Sequence, residues 1–343
     1  MPDKQGWEAR FNRIWYAGAF APWLWPLGWL FGGIVRLRHA LYELGLRRGA
    51  RVEVPVLVVG NLTVGGTGKT PLTAYLAECL RSLGRRPGIA TRGHGGAAGQ
   101  VRRVTADSSP AEVGDEPLLL LRRTGVPVCV AARRADAARA LIAAGCDVIL
   151  CDDGLQHLAL ARDLEIAVVD AARGLGNGRL LPAGPLREPA SRLAAVDLVV
   201  LNVSGSAEAQ FEWPGALQMR LVGDEAVSLR GQLPSRPLAD FRGATVHAVA
   251  AIGNPERFFH QLRAAGLQLQ EHAFSDHHAF TPADLEFGDE RAVLMTEKDA
   301  VKCAPFANDH QWFVPVEAVF DAADEARLMQ CLAALPDRGE QPT

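Results

Sequence analysis

The chain has 343 residues, which is enough for two domains or for one large one. Hydrophobic residues make up 48% of it and charged residues 22%, a balance typical of globular proteins. The net charge of −3 gives no reason to expect nucleic-acid binding. The six cysteines contain no C-x-x-C pair, which indicates reduced thiols in a cytoplasmic compartment and neither a disulfide framework nor a zinc site.

The first segment, residues 1–45, is apolar at its centre and basic at both ends. Residues 14–35 contain no charged side chain and hold four tryptophans, whose rings prefer the headgroup level of a bilayer. Pro22 and Pro26 interrupt the run, and arginines on both flanks suit an anionic lipid surface. The pattern favours a helix–break–helix anchor at a membrane surface. A single membrane span and a tryptophan-rich helix packed on the soluble core are the alternatives.

A glycine-rich stretch follows the apolar run at 54–59 and precedes a segment with helical spacing that ends at Gly84. Strand, glycine-rich turn and helix together are the context of a phosphate-binding loop. The pattern G-x-x-x-x-G-K-[ST] is met in part, because threonine stands at its first glycine. The alternative is an ordinary strand-to-helix turn. The residues predicted to bind ATP are Thr63, Val64, Gly65, Gly66, Thr67, Gly68, Lys69 and Thr70, with Lys69 reaching the β- and γ-phosphates.

Two short motifs lie between this loop and the middle of the chain. Arg92 follows a predicted strand at 88–91, where an arginine is well placed for a phosphate, although a solvated loop arginine is as good an explanation. Asp115 and Glu116 precede Pro117, so the segment alone favours a helix cap over a functional carboxylate.

An acidic pair ends the apolar strand at 148–151. Asp152 and Asp153 are predicted to hold Mg²⁺ together with the Thr70 hydroxyl, because a carboxylate at a strand end is the usual partner of a phosphate loop. The alternative is a simple turn built on Asp-Asp-Gly. Gln156 and His157 are candidates for contact with the substrate or for support of the metal ligands.

The second half continues the alternation of strands and helices. Strands are expected at 166–170, 198–203, 246–252 and 293–296, and a β-hairpin at 216–231 that joins two lobes. The sequence therefore predicts a mostly parallel sheet flanked by helices, with active residues at the carboxyl ends of the strands. His277, beside Asp276, is able to assist a general base near pH 7, although a solvated histidine is the more common case.

The combination of motifs resembles the tetraacyldisaccharide 4′-kinase family, the lipid A 4′-kinases of Gram-negative bacteria. The matching segments are GNLTVGGTGKTP at 60–71, TRG at 91–93, GDEP at 114–117, DDGLQH at 152–157, GPLRE at 184–188, DHH at 276–278 and TEKDA at 296–300. They follow the family's order along nearly the whole chain. The departure of Thr91 from the expected serine is mild.

The resemblance implies a P-loop NTPase-type domain at 46–215, a two-stranded linker at 216–245 and a smaller α/β lobe at 246–335. It implies transfer of the ATP γ-phosphate to the 4′-hydroxyl of tetraacyldisaccharide 1-phosphate, with Mg²⁺, on the cytoplasmic face of the bacterial inner membrane. Asp115, with His277, would activate the sugar hydroxyl, and Lys69 would act on the phosphates. The residues expected to line the site are Arg92, Gln156, His157, Arg187, Glu188 and Asp276.

The expected partners are the lipid substrate and the membrane surface, with no nucleic acid and no required protein. The main alternative is a switch-type P-loop NTPase that acts with a membrane-associated protein. A kinase for a soluble small molecule fits less well, because it does not explain the tryptophan-rich segment. A non-catalytic nucleotide sensor fits less well, because the acidic pair, Asp115 and His277 would then have no function.

Overall fold

The computed structural model describes residues 4–93, 100–204 and 211–337. Within these ranges the helices are α1 (Lys4–Tyr16), α2 (Trp25–Glu43), α3 (Lys69–Ser82), α4 (Pro110–Val113), α5 (Asp115–Thr124), α6 (Arg134–Ala143), α7 (Pro255–Ala264), α8 (Glu297–Cys303) and α9 (Ala322–Ala333). The strands are β1 (Val56–Gly60), β2 (Pro87–Thr91), β3 (Arg102–Arg103), β4 (Val128–Val130), β5 (Val148–Cys151), β6 (Leu164–Asp170), β7 (Leu198–Asn202), β8 (Leu217–Val222), β9 (Glu225–Ser228), β10 (Arg236–Pro237), β11 (Thr245–Ala250), β12 (Gln268–Ala273), β13 (Val293–Thr296), β14 (Gln311–Val314) and β15 (Glu317–Phe320).

The larger sheet contains nine strands of the described chain, in the order β15-β8-β7-β6-β1-β5-β2-β4-β3. Neighbours from β8 to β4 pair in parallel, and only the edge strands β15 and β3 run antiparallel to their partners. Every residue of β1 is buried, as expected for a central parallel strand covered on both faces. The predicted parallel α/β architecture is confirmed, and the carboxyl end of β1 lies at the middle of the sheet edge.

The smaller sheet has the order β10-β9-β14-β13-β11-β12 among the described residues. Its four strands from β14 to β12 are parallel, and β9 and β10 are antiparallel additions at one edge. Its own apolar core includes Phe258, Leu262 and Trp312. Two sheets with separate cores give the molecule a larger and a smaller lobe.

The connection between the lobes differs from the predicted hairpin at 216–231. β8 pairs with β15 in the larger sheet, whereas β9 pairs with β10 and β14 in the smaller one, so β8 and β9 are not hairpin partners. Gly223 and Asp224 therefore mark the passage from one sheet to the other. The connection between the lobes does contain two strands, but they are β8 and β15. β15 returns the chain from the smaller lobe to the larger sheet almost a hundred residues after the end of β8.

The end of the described chain also differs from the expectation that residues up to 335 belong to the smaller lobe. After β15 the chain forms α9, and Leu328 and Leu332 of this helix are buried in the core of the larger lobe with Leu72 and Leu76 of α3. The lobe formed by the smaller sheet is thus an insertion between β8 and β15.

The N-terminal segment has the helix–break–helix form that the sequence predicted, with a 3₁₀ turn at Pro22–Leu24 between α1 and α2. One face of α2 packs closely on the larger lobe, where a Cβ on Gly28 would lie 3.1 Å from the Cβ of Ala183. The other face is exposed and apolar, and it consists of Leu27, Trp29, Leu30, Ile34 and Leu37. In the part of the chain that the structure describes, no helix has both the length and the apolar character needed to cross a bilayer.

Candidate active site

The loop at residues 61–68 connects the buried end of β1 to the first turn of α3. Gly65 and Gly68 have φ values of 99° and 98°, which only glycine adopts readily. The side-chain amide of Asn202, at the end of β7, donates to the carbonyl of Thr67 at 2.9 Å. The Thr67 hydroxyl is buried and has no hydrogen-bond partner among the described residues. The Asn202 hydrogen bond fixes the loop at the N-terminus of α3. In such a loop the backbone N–H groups are able to bind phosphate.

Lys69 begins α3 and lies among the polar groups at the strand ends. Its Nζ donates to Oδ1 of Asn61 at 3.1 Å and lies 3.6 Å from Oδ1 of Asp153. Arg187 donates to both carboxylate oxygens of Asp153, at 2.9 and 3.2 Å, and to the carbonyl of Asn61 at 3.0 Å. Asp153 is therefore paired with two cations, and Asn61 joins the phosphate loop to the segment that carries Arg187.

Asp152 has a different environment, although it is the next residue in the chain. It is 1% exposed, and its carboxylate accepts a hydrogen bond from the Thr73 hydroxyl at 3.0 Å. Burial, together with the nearby charges of Glu116 and Asp153, raises the pKa of Asp152 to about 7. Asp152 is thus a buried carboxylate that has no cationic side chain at ion-pair distance among the described residues.

Asp115 and His277 meet where α5 of the larger lobe faces the smaller lobe. The Nδ1 atom of His277 lies 3.2 Å from Oδ2 of Asp115, which is 5% exposed. Burial alone would raise the pKa of Asp115, but the hydrogen bond to His277 and the charge of Lys298 outweigh it and lower the pKa to about 2. The same hydrogen bond raises the pKa of His277. The expected helix cap is absent, since the side chain of Asp115 accepts from the adjacent N–H of Glu116 and from this histidine.

A cavity of about 690 Å³ lies between the two lobes. The predicted residues that line it are Val64, Gly65, Gly66, Thr67, Gly68, Lys69, Thr70, Asp153, Arg187, Asp276 and His277. Asp115 lies behind His277, and Asp152 lies beside Asp153. The structure therefore brings the predicted phosphate loop, the acidic pair and the Asp115–His277 pair to one cavity.

Besides Asp115 and Asp152, five predicted residues do not line this cavity: Thr63, Arg92, Gln156, His157 and Glu188. Thr63 is buried at the start of the loop. Gln156 supports the loop by donating to the carbonyl of Asn61 at 3.0 Å. His157 is half-buried, and burial together with the charges of arginines that include Arg92 lowers its pKa to about 4. Arg92 itself is exposed. None of these three side chains lines the cavity.

Glu188, the last of these residues, is fully buried and contacts the N-terminal helix. Its carboxylate lies 3.3 Å from Nε2 of His39 and 3.5 Å from Nη2 of Arg38, both in α2. A second guanidinium group, that of Arg192, lies 3.4 Å from its other oxygen. Glu188 therefore fixes α2 to the segment that carries Arg187, and the position predicted to face substrate is occupied by a structural ion pair.

Comparison with known proteins identifies the family. A sequence model of the family described as "Tetraacyldisaccharide-1-P 4'-kinase" matches residues 20–335. The chain belongs to this family. The tetraacyldisaccharide 4′-kinase of Alkalilimnicola ehrlichii is 54% identical over 316 residues, which cover 90% of this chain and 92% of that protein. The relative from Methylobacillus flagellatus, with the same name, is 45% identical and covers 97% of this chain and 99% of its own length.

A solved structure leads to the same family. The crystal structure of LpxK from Aquifex aeolicus in complex with ATP matches with a TM-score of 0.75 and 29% sequence identity. The match covers 90% of this chain and 97% of the other. The chain is therefore a kinase, and ATP is the nucleotide that its family uses.

Sequence reasoning missed several residues that shape the site of this kinase. Lys298 lies 3.2 Å from Glu116 and 3.3 Å from Asp276, yet its own segment gave no sign of these distant partners. Arg257 of α7 binds the buried carboxylate of Asp170 at the end of β6, and so joins the lobes at another point. The sequence did place Asp170 at the end of a strand and Arg257 in the first turn of a helix. Those two positions were the signal from which their ion pair could have been predicted.

Proposed function

We propose that this kinase transfers the γ-phosphate of ATP to the 4′-hydroxyl of tetraacyldisaccharide 1-phosphate and so forms lipid IVA in lipid A biosynthesis. The single observation that carries the proposal is the contact of Asp115 with His277 at the cavity that the phosphate loop lines. A nucleotide site with a charged carboxylate opposite it is what phosphate transfer to an alcohol requires. The names and ATP-bound state of the relatives agree with this reaction.

The loop at 63–70 would hold the triphosphate. Its backbone N–H groups and the N-terminus of α3 supply partial positive charge, and Lys69 supplies a full one. Lys69 is already oriented by Asn61 and Asp153, so little reorganisation is needed when the β- and γ-phosphates arrive. Most of the rate enhancement should come from this alignment and from charge neutralisation.

The residues near the loop fit a magnesium ion. Asp152 and Asp153 offer carboxylate oxygens and Thr70 offers a hydroxyl, which are the donors that Mg²⁺ prefers in combination with phosphate. The buried and uncompensated charge of Asp152 supports this assignment. Among the described residues no group of three or more His, Cys, Asp or Glu side chains could hold a metal ion by itself. The ion would supply charge neutralisation on the transferred group.

The Asp115–His277 pair would accept the proton of the acceptor hydroxyl. The oxygen of the hydroxyl forms a bond to the γ-phosphorus, the bond from that phosphorus to the β,γ-bridging oxygen breaks, and ADP leaves. The hydroxyl proton passes to this pair, in which His277 lines the cavity and its hydrogen bond to Asp115 raises the pKa of the imidazole. The Asp115 carboxylate, with a pKa of about 2, is ionised at neutral pH.

The remaining polar residues near the acidic pair would face the sugar and its phosphate. Arg92 and His157 lie together outside the nucleotide cavity, and Gln156 and Arg187 lie between them and the loop through their contacts with Asn61. Asp276 lines the cavity on the opposite side. In this proposal Glu188 acts by fixing α2 and not by binding substrate.

The enzyme would work at the cytoplasmic face of the bacterial inner membrane. A lipid with four acyl chains stays in the bilayer, so the enzyme has to come to the interface. The exposed apolar face of α2 suits the boundary between headgroups and acyl chains, and Arg36, Arg47 and Arg48 near it suit anionic lipids.

The test is transfer of labelled γ-phosphate from ATP to tetraacyldisaccharide 1-phosphate in mixed micelles with Mg²⁺. Wild type should form the lipid product, and Asp115→Ala should lose activity on the order of 10² or more. Asp309→Ala, which removes an exposed carboxylate paired with Arg230 in the smaller lobe, should transfer at the wild-type rate. Hydrolysis of ATP without any lipid product would contradict the proposed function.

A further inference from the structure

We propose that Arg257 of the smaller lobe binds the phosphate chain of ATP, as a cation that Asp170 holds in place and that acts together with the phosphate loop. The inference deepens the proposed function, because it rests on the same ATP site, but it does not depend on the lipid acceptor. It assigns a role to an arginine that the sequence motifs left without one.

The turn that precedes α7 lies against the phosphate loop of the other lobe. A Cβ on Gly253 would lie 3.2 Å from the backbone nitrogen of Gly66 and 3.4 Å from the Cα atom of Gly65. Both loop residues belong to the segment whose N–H groups are able to bind phosphate. α7 begins two residues after Gly253, at Pro255. Arg257 therefore lies in the first turn of a helix that starts beside this loop.

The side chain of Arg257 contacts a buried carboxylate and also lines the cavity. Its Nη2 atom donates to Oδ2 of Asp170, which is 3% exposed at the end of β6. The other oxygen of Asp170 accepts from the backbone N–H groups of Ala172 and Arg173, so the carboxylate is itself fixed. Arg257 is 20% exposed on the cavity wall. A guanidinium has five N–H donors, and Asp170 takes one of them among the described contacts, so others remain for a ligand.

Arg257 differs from the other cations of the cavity wall in the position of its partner. Among the described residues that line the cavity, each of the other lysines and arginines forms an ion pair with a carboxylate that lines it too. These pairs are Lys69 and Arg187 with Asp153, Arg123 with Glu297, and Lys298 with Glu116 and Asp276. Asp170 is not a lining residue, so a ligand in the cavity meets the Arg257 cation without its counter-ion. Such an excess of positive charge favours a polyanion such as a triphosphate.

Arg257 would supply something that Lys69 does not. Lys69 belongs to the phosphate loop itself, whereas Arg257 comes from the inserted lobe and reaches the phosphates only while the two lobes are in contact. A guanidinium at the phosphate oxygens neutralises the negative charge that builds up during phosphate transfer. Arg257 thereby makes ATP binding depend on the docking of the lobe that also carries His277.

Loss of phosphate binding has to be separated from loss of lobe contact, because Arg257 and Asp170 also join the lobes. Asp170→Asn breaks the ion pair but leaves the guanidinium, and its amide oxygen is still able to accept the two backbone N–H groups. Arg263→Met removes an exposed arginine of the same helix, where it is paired with two carboxylates of the smaller lobe. These are the matched variants for lobe contact and for the charge of α7.

The experiment measures dissociation constants with the full chain in detergent micelles, by displacement of a fluorescent ATP derivative. The ligands are the Mg²⁺ complex of the β,γ-methylene analogue of ATP and, for comparison, AMP. Arg257→Met should raise the Kd for the analogue by about tenfold or more and leave the Kd for AMP within about twofold of wild type, because charge-assisted hydrogen bonds to phosphate are lost. Arg257→Lys should restore part of the affinity, since it keeps the charge and loses the planar fork. Asp170→Asn and Arg263→Met should bind the analogue within about threefold of wild type.

Three results would overturn the inference. One is wild-type affinity for the analogue in Arg257→Met. Another is an equal loss of affinity for the analogue and for AMP, which would assign the effect to the shape of the cavity. The third is an equal loss in Arg257→Met and Asp170→Asn, which would assign it to the ion pair between the lobes.

Steady-state kinetics supply the second readout. Arg257→Met should raise KM for ATP by about tenfold or more and leave KM for the lipid acceptor unchanged. A change confined to KM for the acceptor would contradict the inference. If Arg257→Met loses affinity for the analogue but the wild-type enzyme does not phosphorylate the lipid, only the proposed function is refuted. If the wild-type enzyme phosphorylates the lipid but Arg257→Met binds the analogue normally, only this inference is refuted.

Discussion

Asp115 and His277 are 162 residues apart in the chain, and their side chains lie 3.2 Å apart between the two lobes. His277 is held in this position with a φ of 60°, a left-handed conformation that non-glycine residues adopt at a cost of roughly 1 kcal/mol or more. Asp115 is the first residue of α5, directly after Gly114. The pair therefore exists only when the insertion formed by the smaller lobe is in place on α5.

The lowered pKa of Asp115 predicts a pH-dependent contribution to stability. Its native pKa of about 2 lies below the usual 3.8, so the contribution is fully present above about pH 4 and is lost as the pH falls toward 2. The difference in pKa corresponds to about 2 kcal/mol. The unfolding free energy of wild type, measured with urea, should fall between pH 4.5 and 2 by about 2 kcal/mol more than that of Asp115→Asn. Parallel pH profiles would contradict this prediction.

The acidic pair predicts a specific pattern of magnesium dependence. Asp152→Asn and Asp153→Asn should each raise the free Mg²⁺ concentration for half-maximal rate by about tenfold or more. Asp153→Asn should also raise KM for ATP, because it releases Lys69 and Arg187 from the carboxylate that orients them. Initial rates over a matrix of Mg²⁺ and ATP concentrations separate the two effects. A magnesium response identical to wild type in both variants would show that neither carboxylate serves the ion.

Two glycines in the phosphate loop form a matched pair. A Cβ on Gly68 would lie 2.8 Å from the side chain of Asn202, at a φ of 98°. Gly66 has open space around it and no positive φ. Gly68→Ala should destabilise the protein by roughly 1–3 kcal/mol, and Gly66→Ala should stay within about 0.5 kcal/mol of wild type. Urea unfolding at neutral pH is the measurement, and equal effects of the two substitutions would argue against the described loop conformation.

The exposed face of α2 predicts a separation of membrane binding from chemistry. Trp29→Ser combined with Leu30→Ser removes two side chains that are 70% and 64% exposed. Binding to anionic vesicles should fall by about tenfold or more, since burial of each side chain in the interface is worth about 1.5–3 kcal/mol. Transfer to lipid in vesicles should fall further than transfer in mixed micelles.

The control for this experiment is Leu233→Ser, which removes an exposed leucine of the smaller lobe. It should leave vesicle binding and both transfer rates at wild-type values. Vesicle binding that is unaffected by the double substitution on α2 would contradict the membrane role of this face.

The sequence was informative where structure is decided locally. The phosphate loop, the strand that ends at Asp152 and the helix that follows Gly114 could be located from apolar runs, glycines and proline. The motif order also identified the family, and with it the partnership of Asp115 and His277, which spacing alone treated as a cap and a solvated histidine. Local patterns carry no information on which distant segments meet.

The predicted hairpin and the predicted exposure of Glu188 to substrate differ from the structure because both depend on contacts between residues that are distant in the chain. Residues 216–231 have the alternation and the Gly-Asp turn of a hairpin, yet Met219 pairs with Phe320, a partner about a hundred residues away. Glu188 lies beside Arg187 in a loop with several polar residues, and nothing in that loop indicates that its carboxylate is buried against Arg38 and His39. The contacts of Lys298 were missed for the same reason, because Glu116 belongs to the other lobe and Asp276 lies 22 residues away in its own.

Arg187 and Glu188 are consecutive, and one peptide unit separates the guanidinium that holds the phosphate loop from the carboxylate that holds α2. The helix α2 is therefore part of the folded kinase and cannot be replaced by another membrane-binding segment without loss of these contacts. Deleting it to obtain a more soluble enzyme would remove two of the three basic side chains that contact the buried Glu188 carboxylate and would leave Arg192. A redesign for solubility should accordingly replace side chains on the outer face of α2 and preserve its inner face.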